Sequence, residues 1–240
     1  MSRRKNREKR KTERLPAPNF EEKQSSNFKQ PPPLKPMNGL QESYINSINR
    51  YPVTVATGHP GTSKTYIPTR IACKALKDKV INKIYLLRPA KSMGDSLGFF
   101  GGDKTEKMMN WLQPVMQTIK ECYPLGEIEY MLKREQIVCT PLETAKGMSF
   151  KNCFVIVDES EDLTFKELCV LMTRIGKNCT IVFAGDISQT ELKQSGIGEL
   201  LKRKNLVNGL ISHIDFNDYS HIVRSDFVKQ FIIRLDNNSV

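Results

Sequence analysis

The chain has 240 residues, 37 basic and 26 acidic side chains and a net charge of +11, a length that suits one core plus a tail. It holds no apolar run of the roughly 18 residues that a membrane helix needs, and no apolar segment follows Met1-Ser2-Arg3-Arg4-Lys5 to act as a secretory signal. Its six cysteines contain no C-x-x-C pair and fall partly inside apolar runs, which argues for reduced thiols over a disulfide frame or a zinc site and leads to the expectation of a soluble, cytoplasmic protein with no membrane partner.

Residues 1–15 include eight Arg or Lys, and residues 16–36 are rich in Pro, Ser, Gln and Asn. Neither stretch has the apolar content to fold alone, so residues 1–36 are expected to form a disordered basic tail and residues 37–240 the folded domain. Residues 1–37 carry 11 basic and 4 acidic side chains, so most of the excess charge lies there. A concentrated basic arm suits a polyanion partner such as RNA or single-stranded nucleic acid; a solubilising tail is the plainer reading.

From Met37 onward, strand and helix signals alternate. Residues 53–56 form a short β-branched strand, residues 64–76 suit a helix, residues 81–87 a second strand and residues 105–123 a long helix. Further strands are expected at 137–139, 153–157, 180–184 and 211–216, with a last helix over 227–235. Strands separated by helices predict an α/β fold, a mainly parallel sheet covered by helices.

Between the first strand and first helix stands Gly58-His59-Pro60-Gly61-Thr62-Ser63-Lys64-Thr65, the place and pattern of a phosphate-binding loop. Its backbone N–H groups and the helix start would cradle phosphate oxygens, Lys64 would reach the β- and γ-phosphates, and Thr65 would ligate Mg²⁺. Ser63 departs from the glycine usual at that position, and if the position needs positive φ, serine costs about 1 kcal/mol. Phe154-Val155-Ile156-Val157-Asp158-Glu159 is an apolar strand ending in two carboxylates, with Asp158 suited to Mg²⁺ and Glu159 to polarising the attacking water. Thr180 to Ala184 runs into Gly185-Asp186-Ile187-Ser188-Gln189, where Gln189 could sense the γ-phosphate or the water, or simply close a polar turn. Phe99, Phe100 and Trp111 could stack on bases, although Trp111 shares a helical face with Met108, Leu112 and Val115 and so suits packing.

Together with Leu87-Arg88-Pro89-Ala90, the glycine-rich segment from Gly94 to Asp103, Asp158-Glu159-Ser160 and Leu171-Met172-Thr173-Arg174-Ile175-Gly176, these motifs stand in the order and spacing of PhoH-like proteins, which the chain resembles from about Met37 to Leu235. The resemblance implies a RecA-like P-loop NTPase core, ATP and Mg²⁺ as cofactors, and homo-oligomeric assembly such as a hexameric ring. By likeness to helicases it implies that Gln41 reads adenine and that Arg88 lies in a nucleotide or nucleic-acid contact motif. Arg224 matches a late arginine motif and is the candidate for meeting charge on the γ-phosphoryl group, from a neighbouring subunit, with Arg174 in reserve. The chain brings no nuclease domain and no second RecA-like domain, so unwinding would call for an oligomer. A slow regulatory nucleotide-binding module is the alternative, and a small-molecule kinase lacks an evident acceptor site.

Overall fold

The computed structural model describes residues 28–89, 112–203, 205 and 208–237. The sequence readings that fall on the basic arm up to residue 27, on residues 90–103, on Phe99 and Phe100, on Met108 and on Trp111 lie outside the described residues. Along the chain, α1 (Gly39–Arg50) leads into β1 (Val53–Gly58), then α2 (Tyr66–Lys77) and β2 (Lys83–Arg88). After them come α3 (Gln113–Cys122), α4 (Leu125–Lys133), β3 (Ile137–Pro141), the single turn α5 (Leu142–Ala145) and β4 (Cys153–Val157). The chain continues through α6 (Phe165–Met172), β5 (Cys179–Gly185), α7 (Gly196–Lys202), β6 (Ile211–Phe216) and α8 (Asp226–Asn237).

The six strands form one sheet in the order β3-β2-β4-β5-β1-β6, and every pairing is parallel. Side chains alternate across this sheet because successive Cβ atoms point to opposite faces. Ala56, Ile84, Leu86, Phe154, Ile156 and Val182 pack with α1 to α4 on one face, and Val55, Val155, Val157, Ile181 and Phe183 with α5 to α7 on the other. The strands therefore read as unbroken apolar runs, as sheets covered on both faces do. This is the α/β architecture expected from the sequence, a parallel sheet covered by helices.

The expected elements recur with shifted ends, and two helices were not foreseen. α1 is one: Asn38 caps it by accepting from the Gln41 N–H at 2.9 Å, and Gln41, Tyr44 and Ile48 bury one face. α4, which fills the connection between α3 and β3, is the other. The long helix read over 105–123 is observed as Gln113–Cys122 within the described residues. Ahead of Met37, Leu34 packs against the core and Arg70 Nη2 donates to the Pro32 carbonyl at 2.5 Å, so the last residues assigned to the tail lie against the domain. Cys73, Cys122, Cys153 and Cys179 are buried, and all six cysteines are free thiols. Among the described residues no helix is long and apolar enough to cross a membrane.

Candidate functional site

Parallel register brings three chain exits to one edge. Thr57 on β1 pairs with Gly185 on β5, while Val157 on β4 pairs with Phe183, so Gly58, Asp158 and Asp186 leave the sheet side by side. Here they open a cleft of about 630 Å³, lined by residues 60–66, Asp158, Glu159, Glu161, Asp186, Gln189 and Arg224 and reaching α3 at Gln117 and Glu121. Ligands of open α/β sheets bind at this carboxyl edge.

Gly58 turns the chain out of β1 with φ +119°, and a Cβ there would lie 2.3 Å from the Phe216 carbonyl carbon, so no other residue fits. Beyond it, His59 stacks on Tyr219 with ring centroids 4.8 Å apart, and Thr62 Oγ1 donates to the His59 carbonyl at 2.9 Å. Ser63 has φ +73°, so the position does call for a left-handed backbone that serine adopts at a cost. Lys64 Nζ lies inside the loop it belongs to, donating to the Gly58 and His59 carbonyls at 2.5 and 2.6 Å. Burial pushes the Lys64 ammonium below its ordinary range, opposed by the charges of Asp186, Glu161, Asp158 and Glu159.

α1 braces the loop from behind. Tyr44, fully buried, donates its hydroxyl to the Lys64 carbonyl at 2.8 Å. Gln41 is 2% exposed, accepts from the Met37 N–H at 2.9 Å and reaches the Thr62 carbonyl with Nε2 at 3.4 Å. Its side-chain amide is thus spent on holding the loop to the start of the domain.

On the carboxylate side, Thr65 Oγ1 donates to Asp158 Oδ1 at 2.8 Å. Burial pushes the Asp158 carboxyl up, and the Thr65 hydrogen bond pulls it back down. Glu159 takes a left-handed backbone, φ 51° and ψ 43°, which aims the residue after the strand out of the sheet plane and pairs its Oε1 with Arg88 Nη2 at 3.0 Å. The Ser160–Asp162 turn that follows is buried. Glu161 within it is 2% exposed, and burial, with the neighbouring charge of Glu159, pushes its carboxyl up to about 9. Gln189 points its Nε2 at Asp186 Oδ2, 2.9 Å away, on the short turn Ile187–Gln189.

The two arginines proposed for transition-state charge fall differently. Arg224 lines the cleft of its own chain: the Val223 N–H donates to the Gly61 carbonyl at 3.0 Å, and a Cβ on Gly61 would meet the Arg224 Cβ at 3.1 Å. Arg224 thus stands beside the phosphate-binding loop of its own chain. Arg174 follows α6, and its carbonyl accepts from the Phe150 N–H ahead of β4, at the opposite edge of the sheet from the cleft. Sequence reading missed Tyr44 and Glu161; the helical spacing of Tyr44 and Ile48 behind the capping Asn38 signals α1, whereas nothing local to Glu161 signals its burial.

Magnesium holds few protein ligands and completes its octahedron with water and phosphate oxygens, and a hydroxyl hydrogen-bonded to a carboxylate is such a hard donor pair. Thr65 and Asp158 fit that role, with a buried carboxylate whose charge a cation would offset. Among the described residues no group of three or more His, Cys, Asp or Glu side chains is arranged to hold a metal by itself. Loop and carboxylate strand together form a site of the P-loop NTPase type.

The chain also has relatives among known proteins. The chain is 31% identical to a PhoH-like protein of Bacillus subtilis over 201 residues, covering 83% of this chain and 63% of that one. It is 34% identical to a PhoH-like protein of Synechocystis over 152 residues, 63% and 46% of the two chains, and 31% identical to protein PhoH of Escherichia coli K12 over 176 residues, 71% and 50%. The matched part thus spans about half to two thirds of these relatives' own length. Among solved structures, the Pyrococcus furiosus Hef helicase domain aligns at TM-score 0.46 and 13% identity, covering 76% of this chain and 38% of that one. The Pif1 helicase of Candida albicans aligns at TM-score 0.40 and 14% identity, covering 85% and 44%. A family model described as PhoH-like protein matches residues 33–236, the whole of the sheet and every loop that lines the cleft, and the chain belongs to that family.

Proposed function

We propose that the chain binds ATP with Mg²⁺, hydrolyses it, and couples the hydrolysis to RNA or another single-stranded nucleic acid as a helicase-like homo-oligomer in the cytoplasm. The observation that carries this reading is the convergence of Lys64, Thr65, Asp158, Glu159, Gln189 and Arg224 on one cleft. Thr65 and Asp158 would hold a magnesium ion, which would supply neutralisation of phosphate charge. Lys64 exchanges its carbonyl acceptors for phosphate oxygens, which restores charge partners to a buried ammonium. Glu159, held by Arg88, orients the attacking water and draws on its proton. Gln189 and Arg224 flank the position of the γ-phosphoryl group, the first from the β5 loop and the second from the chain leading into α8. The basic arm supports the nucleic-acid partner.

Turnover of Mg-ATP by the full chain, with and without single-stranded RNA, tests the reading. Hydrolysis stimulated by RNA and abolished in Lys64→Ala is expected; turnover unchanged in Lys64→Ala would end the assignment of the loop. Deleting residues 1–15 removes eight basic and two acidic side chains. Affinity for single strands should fall, and the log–log salt slope should flatten by about 0.7 for each phosphate that the arm no longer neutralises. An unchanged slope would return the arm to a solubilising role. A slow regulatory module without unwinding activity is the second reading. It is favoured by the strained Ser63 and by a Lys64 already bonded within its own loop.

A further inference from the structure

The cleft has a second part that the hydrolysis reading does not use. It is walled by Met37 ahead of α1, Tyr66 at the start of α2, and Pro114, Gln117 and Glu121 along α3. Met37, Tyr66 and Pro114 offer apolar surface, while Gln117 and Glu121, one helical turn apart, offer polar groups, a composition that suits the body of a small organic ligand. The Glu121 carboxylate is set by a chain of donors. Arg70 Nη2 donates to the Pro32 carbonyl at 2.5 Å and its Nη1 to the Tyr66 hydroxyl at 2.6 Å, and that hydroxyl gives its own proton to Glu121 Oε2 at 3.2 Å. The same guanidinium lies over the Tyr66 ring, 5.6 Å from its centroid. Glu121 is exposed, and among the described residues its Oε1 accepts no hydrogen bond.

We propose that Glu121 is a specificity-determining residue that accepts the ribose hydroxyls of the bound nucleotide, so that the site prefers a ribonucleoside triphosphate to its 2′-deoxy counterpart. The inference rests on the nucleotide-binding part of the proposed function and needs no hydrolysis. Lys64 and the loop N–H groups claim the phosphates, and Tyr66 follows Thr65 directly, so the sugar that comes next to the phosphates has the start of α2 and the facing side of α3 beside it. A carboxylate repels phosphate and can only accept, whereas the ribose is the part of a nucleotide that presents two adjacent hydroxyl donors. Asp and Glu serve the ribose 2′-hydroxyl in the same way at dinucleotide sites. A base edge mixes donors and acceptors, which suits the Gln117 amide better than a carboxylate. Tyr66 and Arg70 are positioning residues here: they hold Oε2 and leave Oε1 to the ligand.

The full chain is compared as wild type, E121A and Y66F by calorimetric titration with ATP, 2′-deoxyATP and GTP as their magnesium-bound β,γ-imido analogues, which are not turned over, and with magnesium tripolyphosphate as a probe of the phosphate end alone. Wild type is expected to bind the ATP analogue about 10-fold more tightly than the 2′-deoxy one, the scale of one hydrogen bond to a charged group. E121A should bring that ratio below about twofold. Removing a negative charge raises the affinity for every anionic ligand alike, so the ratio carries the test and the affinity itself does not. Y66F keeps the carboxylate but loosens it, and should leave a ratio of about threefold. The ratio of ATP to GTP analogue should be the same in all three proteins. A wild type that treats the two sugars alike, an E121A that keeps the wild-type ratio, or an E121A that changes the ATP-to-GTP ratio in its place would each overturn the role of Glu121 and leave nucleotide binding standing. A wild type that binds neither nucleotide nor tripolyphosphate would fail the nucleotide-binding reading itself, and this inference with it.

Discussion

Arg88 Nη2 lies 3.0 Å from Glu159 Oε1, joining the end of β2 to the residue that leaves β4. Both side chains are less than half exposed, so the pair escapes much of the screening that makes surface ion pairs nearly worthless. The partner expected for Arg88 was a nucleotide or nucleic acid. In the folded chain its guanidinium pairs with the carboxylate that faces the cleft and so helps to orient it.

Replacing Arg88 with Ala should therefore act on turnover before binding. A drop in kcat of about 10- to 100-fold with nucleotide Kd held within about threefold is expected when an orienting group is removed. Pre-steady-state turnover set beside equilibrium binding of a fluorescent ATP analogue separates the two. A large loss of binding with normal turnover at saturation would give Arg88 back to the nucleotide.

Ser63→Gly relieves a left-handed serine at φ +73° in the middle of the loop. The relief should be about 1 kcal/mol, or a rise in Tm of about 2–4 °C for a domain of this size, with hydrolysis equal or faster. Calorimetry and an ATPase assay on the same preparation check it. Lower stability or a large loss of activity would mean that the serine hydroxyl contributes something the backbone strain does not reveal.

Glu161 should also mark the pH dependence of folding. Its ordinary value is 4.5 and its folded value is about 9, so across that window the folded chain retains a proton that the unfolded chain releases. Stability contributed by the neutral group is whole below the lower value and declines as pH rises toward the upper one. E161Q has no such proton to lose. Its midpoint in urea should gain on the wild type from pH 5 to pH 9, and curves that run parallel over that range would contradict the assignment.

Arg224 makes a prediction about complementation. Because it leans on Gly61 of its own chain, Arg224→Ala and Glu159→Gln protein should not rescue one another when mixed. Specific activity in the wild type should not depend on this arginine being delivered by a neighbour. Restored turnover in the mixture would show that it crosses between subunits after all.

Local chemistry was enough to place the strands and the loop. Phe154 to Val157 is apolar without a break and ends at Asp158, and Gly58 to Thr65 sits between a β-branched run and a helix; such signals depend on residues close in sequence. The same reasoning made β6 legible as Ile211–Phe216. The partners of the acids were not legible. Arg88 reaches Glu159 from 71 positions away, and Glu161 meets the Asp186 N–H across 25, contacts that exist because β4 lies between β2 and β5 in the sheet. Whether Glu161 carries a proton depends on the water excluded by Gly185 and on the neighbouring carboxyl of Glu159, and desolvation is a property of the packed molecule. Likewise Gln41 and Tyr44 became braces of the loop only when α1 folded against β1. Residue type and spacing determined which groups could do chemistry; parallel register and burial decided which of them meet, and in which charge state.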